Sequence, residues 1–236
     1  MNKGKLYLIP TPLGPLPANS VLSQAVIDQA KKLSYFVAEN AKSARAFLKT
    51  LPTNRPIQDI TIQELNEKTP LTLLSELITP LQNGLDMGLI SEAGCPAVAD
   101  PGAHLIALAH KEGIRVCPLA GPSSIVLALM GSGLSGQNFA FHGYLPIKNN
   151  IRRKKISELE KSSCADHKTQ IFIETPYRNN QMLKALVETC MSSTKICIAS
   201  NLTLDNERIM MFTAKEWRCR QLPDIDRQPT VFLLQA

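Results

Sequence analysis

Ser91-Glu92-Ala93-Gly94-Cys95-Pro96-Ala97-Val98-Ala99-Asp100-Pro101-Gly102 directly follows a predominantly apolar run, 85–90. A short apolar run of this kind predicts a strand of a parallel sheet that is buried on both faces. Open parallel sheets bind ligands beyond the carboxyl ends of their strands, and the Gly and Pro residues of 91–102 shape a backbone that can face a ligand. An ordinary tight connection is the alternative. We therefore predict an α/β fold with a ligand-binding loop at 91–102.

The rest of the chain separates into two patterns. In the first half, β-rich runs alternate with helix-like stretches, which is typical of βαβ units around a parallel sheet. The predicted strands there are 6–9, 35–38, 85–90 and 114–119. The predicted helices are 21–33 with Ser20 as its N-cap, one after Glu39, 71–81, 103–111 and 123–130. From Phe139 onward strands dominate, at 171–173, 195–199, 207–213 and 230–234, with helices at 151–160 and 182–188. We therefore predict an N-terminal α/β domain, 1–119, and a strand-richer C-terminal α/β domain, 120–236.

Composition limits the function classes. The 236 residues are 44% hydrophobic, which is enough for a substantial core, and the formal charge of +6 with a pI near 9.0 favours association with polyanions. Six cysteines occur without a C-x-x-C pair, so we predict reduced thiols and no metal site. No apolar stretch approaches the roughly 20 residues of a membrane span. The amino-terminal residues 1–5 lack the pattern of a signal peptide, so a cytoplasmic protein is expected.

Two further loops carry special residues. Ala120-Gly121-Pro122-Ser123-Ser124-Ile125 lies between a predicted strand and a predicted helix, where exposed amides suit polar or anionic groups. Taken alone, it is equally typical of a capped helix start. Pro10-Thr11-Pro12-Leu13-Gly14-Pro15-Leu16 follows the first strand, where a dinucleotide-binding protein would carry G-x-G-x-x-G. Its prolines remove the amides that a pyrophosphate needs, which disfavours a nicotinamide oxidoreductase.

Together these loops resemble the tetrapyrrole-methylase superfamily, and in particular its ribosomal RNA ribose-methyltransferase branch. The order and spacing of the motifs agree over almost the whole chain. Thr11-Pro12-Leu13-Gly14 is similar to that branch's Thr-Pro-hydrophobic-Gly, and 91–102 to its Ser-Asp-Ala-Gly-Thr-Pro-x-x-Ser-Asp-Pro-Gly. The other segments that carry the resemblance are Ala38-Glu39-Asn40, 120–124, Phe141-His142-Gly143-Tyr144-Leu145-Pro146 and Glu174-Thr175-Pro176-Tyr177-Arg178.

The resemblance implies a two-domain tetrapyrrole-methylase-like fold, with S-adenosylmethionine in the cleft between the domains and commonly a homodimer. It implies that the cofactor pocket is lined, chiefly by backbone atoms and apolar contacts, by Leu13, Gly94, Cys95, Val98, Ser123 and Ser124. Methyl transfer to a hydroxyl needs in-line positioning and a general base. Glu39 is the first candidate for the base, and Glu92, Asp100 and Glu174 are alternatives. The basic group that could meet RNA phosphates comprises Lys148, Arg152, Arg153, Lys154 and Lys155, which could equally be a solvated face.

The sequence predicts a methyltransferase that modifies the ribose 2′-hydroxyl of small-subunit ribosomal RNA. A methyltransferase for a tetrapyrrole or another small molecule is one alternative, and it should have an enclosed apolar acceptor cleft. Asn40-Ala41-Lys42, which departs from the acidic residue and Thr-Arg of the ribosomal branch, motivates a catalytically silent RNA-binding module as a second alternative. His142 could orient a substrate, but a structural role in its strand is the simpler interpretation.

Overall fold

The structure is a computed structural model, which describes residues 3–52 and 56–236. Met1 and Asn2, part of the amino-terminal stretch considered above, therefore lie outside the described residues. The chain divides into two compact units, Met1–Ser123 and Ser124–Ala236. The predicted domains meet between residues 119 and 120, four residues before this division.

The described part of the first unit contains a parallel sheet in the order β3-β2-β4-β1-β5. Its strands are β1 (Lys5–Ile9), β2 (Tyr35–Ala38), β3 (Thr61–Glu64), β4 (Met87–Ile90) and β5 (Arg115–Pro118). Every residue of the central strand β4 is buried, as expected for an apolar strand with helices on both faces. The predicted parallel sheet is confirmed. The edge strand β3 was not predicted, because Thr-Ile-Gln-Glu offers no apolar run.

The helices of this unit differ in places from the prediction. They are α1 (Ala18–Val21), α2 (Gln24–Lys32), α3 (Ala41–Thr50), α4 (Leu74–Leu77), α5 (Thr79–Gln82) and α6 (Gly102–Lys111), with 3-10 turns at Ile57–Asp59 and Leu71–Leu73. The predicted helix 21–33 is two helices, because Leu22 and Ser23 have extended backbones. Ser20 lies inside α1, so its assignment as an N-cap was wrong. The predicted helix 71–81 is also divided, at a point where Pro80 cannot donate a helical hydrogen bond.

Side chains of the first sheet pack into two hydrophobic clusters. Helices α1 to α3 supply one cluster and α4 to α6 the other. Successive residues of a strand point to opposite faces, and Phe36 and Val37 accordingly belong to different clusters. The sheet is therefore covered on both sides, and its carboxyl-terminal edge is left to the loops.

The described second unit is built on a mixed sheet in the order β6-β7-β10-β8-β9. Strands β6 and β7 are parallel, and the other neighbouring strands are antiparallel. The strands are β6 (Phe139–Tyr144), β7 (Thr169–Ile173), β8 (Lys195–Ser200), β9 (Arg208–Thr213) and β10 (Thr230–Gln235). The helices are α7 (Ser124–Ser132), α8 (Asn149–Asp166), α9 (Asn179–Thr189) and α10 (Ala214–Arg218), with a 3-10 turn at Pro176–Arg178. The predicted strand-richer second half is confirmed.

The core of the second unit lies between one face of its sheet and helices α8 to α10. The rings of Phe172 and Phe232 stack with centroids 5.9 Å apart, and Nε1 of the fully buried Trp217 donates to the Ile196 carbonyl at 3.0 Å. The short helix α10 was not predicted. Thr213 and Glu216 form its capping box, a Thr-x-x-Glu signal that the sequence does contain. Across residues 3–52 and 56–236, no helix combines the length and apolarity that crossing a bilayer would require.

Substitution of Gly88 tests the packing of the central strand β4. An added Cβ would lie 2.6 Å from Cδ1 of Phe36 and 2.8 Å from Cδ1 of Ile9. We expect Gly88→Ala to lower the free energy of unfolding by about 1–3 kcal/mol, as overpacked cores do. Gly136→Ala is the control, since its added Cβ would find its nearest neighbour at 4.0 Å. Urea titration of both variants measures the difference, and equal stabilities would contradict this packing.

Candidate functional site

The candidate site lies where strands β1 and β4 end side by side. The chain after β1 continues into α1 and α2 on one face of the sheet, whereas the chain after β4 continues into α6 on the other. Neighbouring parallel strands whose connections leave toward opposite faces create a topological switch point, and ligands of open α/β sheets bind there. The fold thus places 10–17 and 91–102 at the position where a ligand is expected.

Thr11 and Gly94 join the loops that follow these two strands. The Thr11 amide donates to the Gly94 carbonyl at 2.9 Å, and the Gly94 amide donates to the Thr11 carbonyl at 3.1 Å. The Ser91 hydroxyl also donates to the Gly94 carbonyl, at 3.0 Å. Thr11 is buried, so its backbone groups need these protein partners. The two loops are consequently fixed relative to each other.

The loop after β5 meets the other two at Gly94. Gly94 has a φ of +74°, and a Cβ there would lie 3.1 Å from Cδ2 of Leu13 and 3.3 Å from the Pro122 carbonyl oxygen. The Cys95 sulfur lies 3.4 Å from the same carbonyl oxygen. Gly121 packs directly on Pro10, since an added Cβ would be 2.3 Å from two carbons of that ring. Three loops therefore converge at Gly94.

The middle of the 91–102 loop has an unusual backbone. Ala97 and Ala99 have φ values of 64° and 59°, in the left-handed region that costs a non-glycine residue about 1–2 kcal/mol. Such strain persists only where the surroundings enforce it, and it clusters at functional sites. Between these alanines Val98 is 49% exposed. The Asp100 carboxylate accepts a hydrogen bond from the Gly102 amide at 2.7 Å, at the start of α6. The loop thus presents an apolar side chain on a constrained backbone.

Carboxylates lie close to this convergence. Glu39 follows β2, and Glu92 and Asp100 follow the neighbouring β4. Burial raises the pKa of Glu39, and the negative charges of Asp100, Glu92 and Glu67 raise it further. Burial also raises the pKa of Asp100, with a smaller contribution from Glu92. The loops at 10–17, 91–102 and 119–123 contain no Lys or Arg. The site is therefore acidic, which suits a cationic ligand better than a phosphate.

The structure brings three of the six predicted cofactor residues into contact. Leu13, Gly94 and Cys95 meet around the Pro122 carbonyl, and Val98 lies on the same loop as Gly94. Ser123 and Ser124 are the next two residues of the chain, and Ser124 begins α7. Burial raises the pKa of Cys95, so the thiol stays protonated and is a poor nucleophile. Thr11, which joins the loops, was not predicted, because its role depends on a contact with a residue 83 positions away.

The departure at Asn40-Ala41-Lys42 keeps an ordered helix start. The Asn40 side chain accepts from the Lys42 and Ser43 amides at 2.9 and 3.2 Å, which makes it the N-cap of α3. Glu64 accepts from the Ala41 amide at 2.9 Å. Although these residues depart from the ribosomal pattern, they hold the start of α3, which follows Glu39, in a defined position.

The predicted substrate-binding group is divided by the structure. Arg152 is only 4% exposed, and its Nε and Nη1 have no partner among the described residues. Arg152 is therefore less accessible to an RNA phosphate than an exposed residue would be, and its role in substrate binding stays a prediction. Arg153 forms an ion pair with Glu188, whereas Lys154 is exposed. The Arg153 side chain remains 41% exposed in that ion pair, so solvent reaches both Arg153 and Lys154.

Two other predicted residues have structural partners. Glu174, an alternative base, is buried and its Oε1 accepts from Arg178 Nη2 at 2.6 Å, which agrees with a structural role. His142 lies with Nε2 2.6 Å from the Gln170 side-chain oxygen, which agrees with the structural interpretation. Within residues 3–52 and 56–236, no group of three or more His, Cys, Asp or Glu side chains is placed to hold a metal ion.

Solved structures of other proteins show which fold class the chain adopts. No protein-family model matches the chain. The methyltransferase CobJ superposes with a TM-score of 0.64 at 17% identity, covering 98% of this chain and 94% of its own. A uroporphyrin-III-C-methyltransferase from Thermus thermophilus superposes with a TM-score of 0.56 at 16% identity, covering 98% and 92%. The predicted two-domain tetrapyrrole-methylase fold is thereby confirmed.

Curated relatives narrow the class to a family. Proteins named ribosomal RNA small subunit methyltransferase I are 30% identical in Vibrio cholerae, 30% in Escherichia coli O157:H7 and 32% in Xylella fastidiosa. The matches span 86%, 88% and 88% of this chain, and 67%, 68% and 71% of the relatives. The chain belongs to the ribosomal RNA small subunit methyltransferase I family. The prediction of a methyltransferase is confirmed.

Two substitutions in the 91–102 loop, Gly94→Ala and Ala99→Gly, test its backbone geometry. Gly94→Ala adds a side chain at positive φ beside Leu13, so we expect a loss of about 1–2 kcal/mol in stability. The amide of Thr11 should also exchange its hydrogen faster, because its partner is displaced. Ala99→Gly is the control, which relieves a left-handed alanine and should cost no stability. Hydrogen exchange followed by NMR measures both effects, and an unchanged Thr11 amide in Gly94→Ala would contradict the bridge.

Proposed function

We propose that the chain transfers a methyl group from S-adenosylmethionine to a ribose 2′-hydroxyl of small-subunit ribosomal RNA. The observation that carries this proposal is the convergence of three loops at Gly94, beside an acidic group, in a chain whose relatives are named ribosomal RNA small subunit methyltransferases. The same names support ribosomal RNA processing as the process that it serves.

The residues at the site fit this cofactor. A cationic sulfonium is favoured near Glu39, Glu92 and Asp100, and the cofactor has no phosphate, so loops without Lys or Arg are compatible with it. Apolar contacts would come from Leu13, Cys95 and Val98. Backbone atoms of Gly94, Ser123 and Ser124 would complete the binding set. The cofactor supplies a methyl group that its positive sulfur activates, so these residues need only bind and orient it.

Glu39 is proposed as the general base. Its carboxylate would accept the proton of the ribose hydroxyl as the oxygen attacks in line, and positioning would supply much of the rate. A base works best when its pKa is near the operating pH, so the upward shift of the Glu39 pKa favours this role. The cap formed by Asn40 fixes the backbone next to it.

Two alternatives have specific support. The solved structures of similar fold include tetrapyrrole methyltransferases, which keeps a small-molecule acceptor as a second candidate. The altered Asn40-Ala41-Lys42 keeps the silent RNA-binding module as a third. Both differ from the leading proposal in whether RNA becomes methylated.

The acceptor test uses small ribosomal subunits that lack the modification and a cofactor carrying a tritiated methyl group. We expect label in the RNA, at a nucleotide whose 3′ phosphodiester resists alkali, because a 2′-O-methyl group removes the hydroxyl that attacks that bond. Label that appears on a tetrapyrrole and not on RNA would favour the second candidate. Cofactor binding without transfer to any RNA would favour the silent module.

Blocking substitutions test the cofactor pocket. Val98→Trp and Ser123→Trp should each abolish binding of S-adenosylhomocysteine, measured by isothermal titration calorimetry, because an indole would fill the proposed pocket. Leu85→Trp is the matched control, since Leu85 is 45% exposed and precedes β4 at the opposite end of that strand. Retained binding in both blocked variants would place the cofactor elsewhere.

The pH dependence of kcat/KM tests Glu39. The base must be ionised, so activity should fall as the pH drops through a pKa above the ordinary glutamate value. Asp100→Asn removes a negative charge that raises this pKa, so the acidic limb should move to lower pH. The asparagine oxygen can still accept from the Gly102 amide, which keeps the start of α6 intact. Glu39→Gln should lose most activity. If the acidic limb of kcat/KM does not move in Asp100→Asn, that limb reports the ionisation of a group other than Glu39.

We also propose a homodimer in the cytoplasm. The tetrapyrrole-methylase resemblance supports the dimer, and Met130 on α7 is an exposed apolar side chain that a second copy could cover. A ribosomal RNA substrate supports the location. Light scattering of the purified chain would give the mass of a monomer or of a dimer.

A further inference from the structure

Two exposed tyrosines lie at or just beyond the carboxyl ends of the parallel strands β6 and β7 in the second sheet. Tyr144 is the last residue of β6 and pairs with Ile173, the last residue of the parallel strand β7. Tyr177 follows β7 by four residues, in the 3-10 turn. The carboxyl ends of parallel neighbours meet at one edge, and there Tyr144 is 59% exposed and Tyr177 73%. Tyrosine combines a large apolar ring with a polar hydroxyl, which suits it to a binding surface.

Arg178, beside Tyr177, is held in one orientation. Its Nε and Nη2 donate to Oε1 of Glu174 at 3.1 and 2.6 Å, and the Glu174 side chain is fully buried. The remaining Nη1 takes no part in this interaction, and the arginine is partly exposed. A guanidinium that is already fixed loses little conformational entropy when it binds an anion.

The turn that carries Tyr177 is fixed as well. The Arg227 amide donates to the Pro176 carbonyl at 3.1 Å, and the Asn179 side chain donates to the Gln228 carbonyl at 2.6 Å. The residues on both sides of Tyr177 are therefore tied to 225–228. A backbone that is already fixed leaves mainly the side-chain torsions of Tyr177 to be ordered when a partner binds.

Positive charge is concentrated in the same unit. Residues 124–236 contain 15 Lys and Arg against 10 Asp and Glu, whereas residues 1–123 contain 11 against 10. Lys148 is exposed immediately before α8, which starts at the end of the sheet where Tyr144 lies. The loops proposed to hold the cofactor have no Lys or Arg, so phosphate contacts must come from other parts of the chain. The end of the second sheet where Tyr144 lies offers positive charge for such contacts beside aromatic rings.

We propose that Tyr144, Lys148, Tyr177 and Arg178 form a surface that binds unpaired nucleotides of the RNA acceptor. We name it the tyrosine surface. Unstacked bases would lie on the tyrosine rings, and Arg178 and Lys148 would contact the phosphates. Paired RNA buries its base faces, so single-stranded segments are the fitting partner. A contact between two copies is less suited, since interface cores are depleted of lysine. This inference rests on the proposed function and adds the part of the chain that holds the acceptor.

The test measures RNA affinity by fluorescence anisotropy. The probe is a fluorescein-labelled single strand of about 12 nucleotides without self-complementarity, compared with its duplex. Tyr144→Ala and Tyr177→Ala should each weaken binding of the single strand about tenfold. Tyr177→Phe should keep the affinity within about twofold, because the ring that stacks is retained. The duplex should bind more weakly and respond little to the tyrosine variants.

The charge contribution is tested with Lys148. Removing Arg178 would leave Glu174 buried and unpaired, so that variant could fail for a structural reason. Lys148→Ala should weaken binding and reduce the slope of log affinity against log salt by about one. Lys161→Ala is the matched control, an exposed lysine farther along α8. Met191→Ala is the control for loss of an apolar surface, since Met191 is 69% exposed beyond the end of α9.

The outcomes separate this inference from the proposed function. S-adenosylhomocysteine affinity and methyl transfer to small subunits are measured on the wild type, and they judge the proposed function alone. Unchanged RNA affinity in Tyr144→Ala, Tyr177→Ala and Lys148→Ala would overturn the tyrosine surface while leaving the enzyme in place. Failure of the wild type to bind the single strand would overturn it too. A change of mass in light scattering without a change in RNA affinity would instead make the surface a contact between copies.

Discussion

The pair of backbone hydrogen bonds between Thr11 and Gly94 is the constraint on which the candidate site depends. Strands β1 and β4 send their chains to opposite faces, so nothing in the sheet itself holds their loops together. Thr11 is buried, and a buried amide or carbonyl without a partner is costly. The bridge satisfies both groups and sets the position of Gly94. Leu13, Cys95 and Pro122 then pack around a residue that has no side chain.

The two units differ in charge as well as in topology. The loops at the edge of the parallel sheet combine carboxylates with apolar side chains and contain no Lys or Arg. The second unit carries nearly all of the net positive charge, together with two exposed tyrosines and an arginine that is bonded to a buried glutamate. A cationic nucleoside cofactor and a polyanionic acceptor place opposite demands on a protein surface. The proposed cofactor site and the proposed tyrosine surface would meet these demands on separate parts of the chain.

Membership of the family does not require every motif residue to be kept. Asn40-Ala41-Lys42 departs from the ribosomal pattern, yet Asn40 caps α3 and Glu64 accepts from the next amide. Cys95 stands where the motif that 91–102 resembles has Thr, and its sulfur lies 3.4 Å from the Pro122 carbonyl oxygen. In this chain both positions are fixed by contacts to backbone groups, which place few demands on the neighbouring side chains.

Local patterns in the sequence determined the elements and the family. Apolar runs and helical periodicity were enough for the parallel sheet and the strand-richer second half, because burial of each element leaves a pattern within a few residues. They failed at β3, whose edge position needs no apolar run, and at 21–33, where an extended pair of residues splits the helix. Only the tertiary structure decided that Arg152 is buried, that Thr11 joins the loops and that Ala97 and Ala99 are left-handed. These features depend on contacts between residues far apart in the chain, and such contacts leave no local signal.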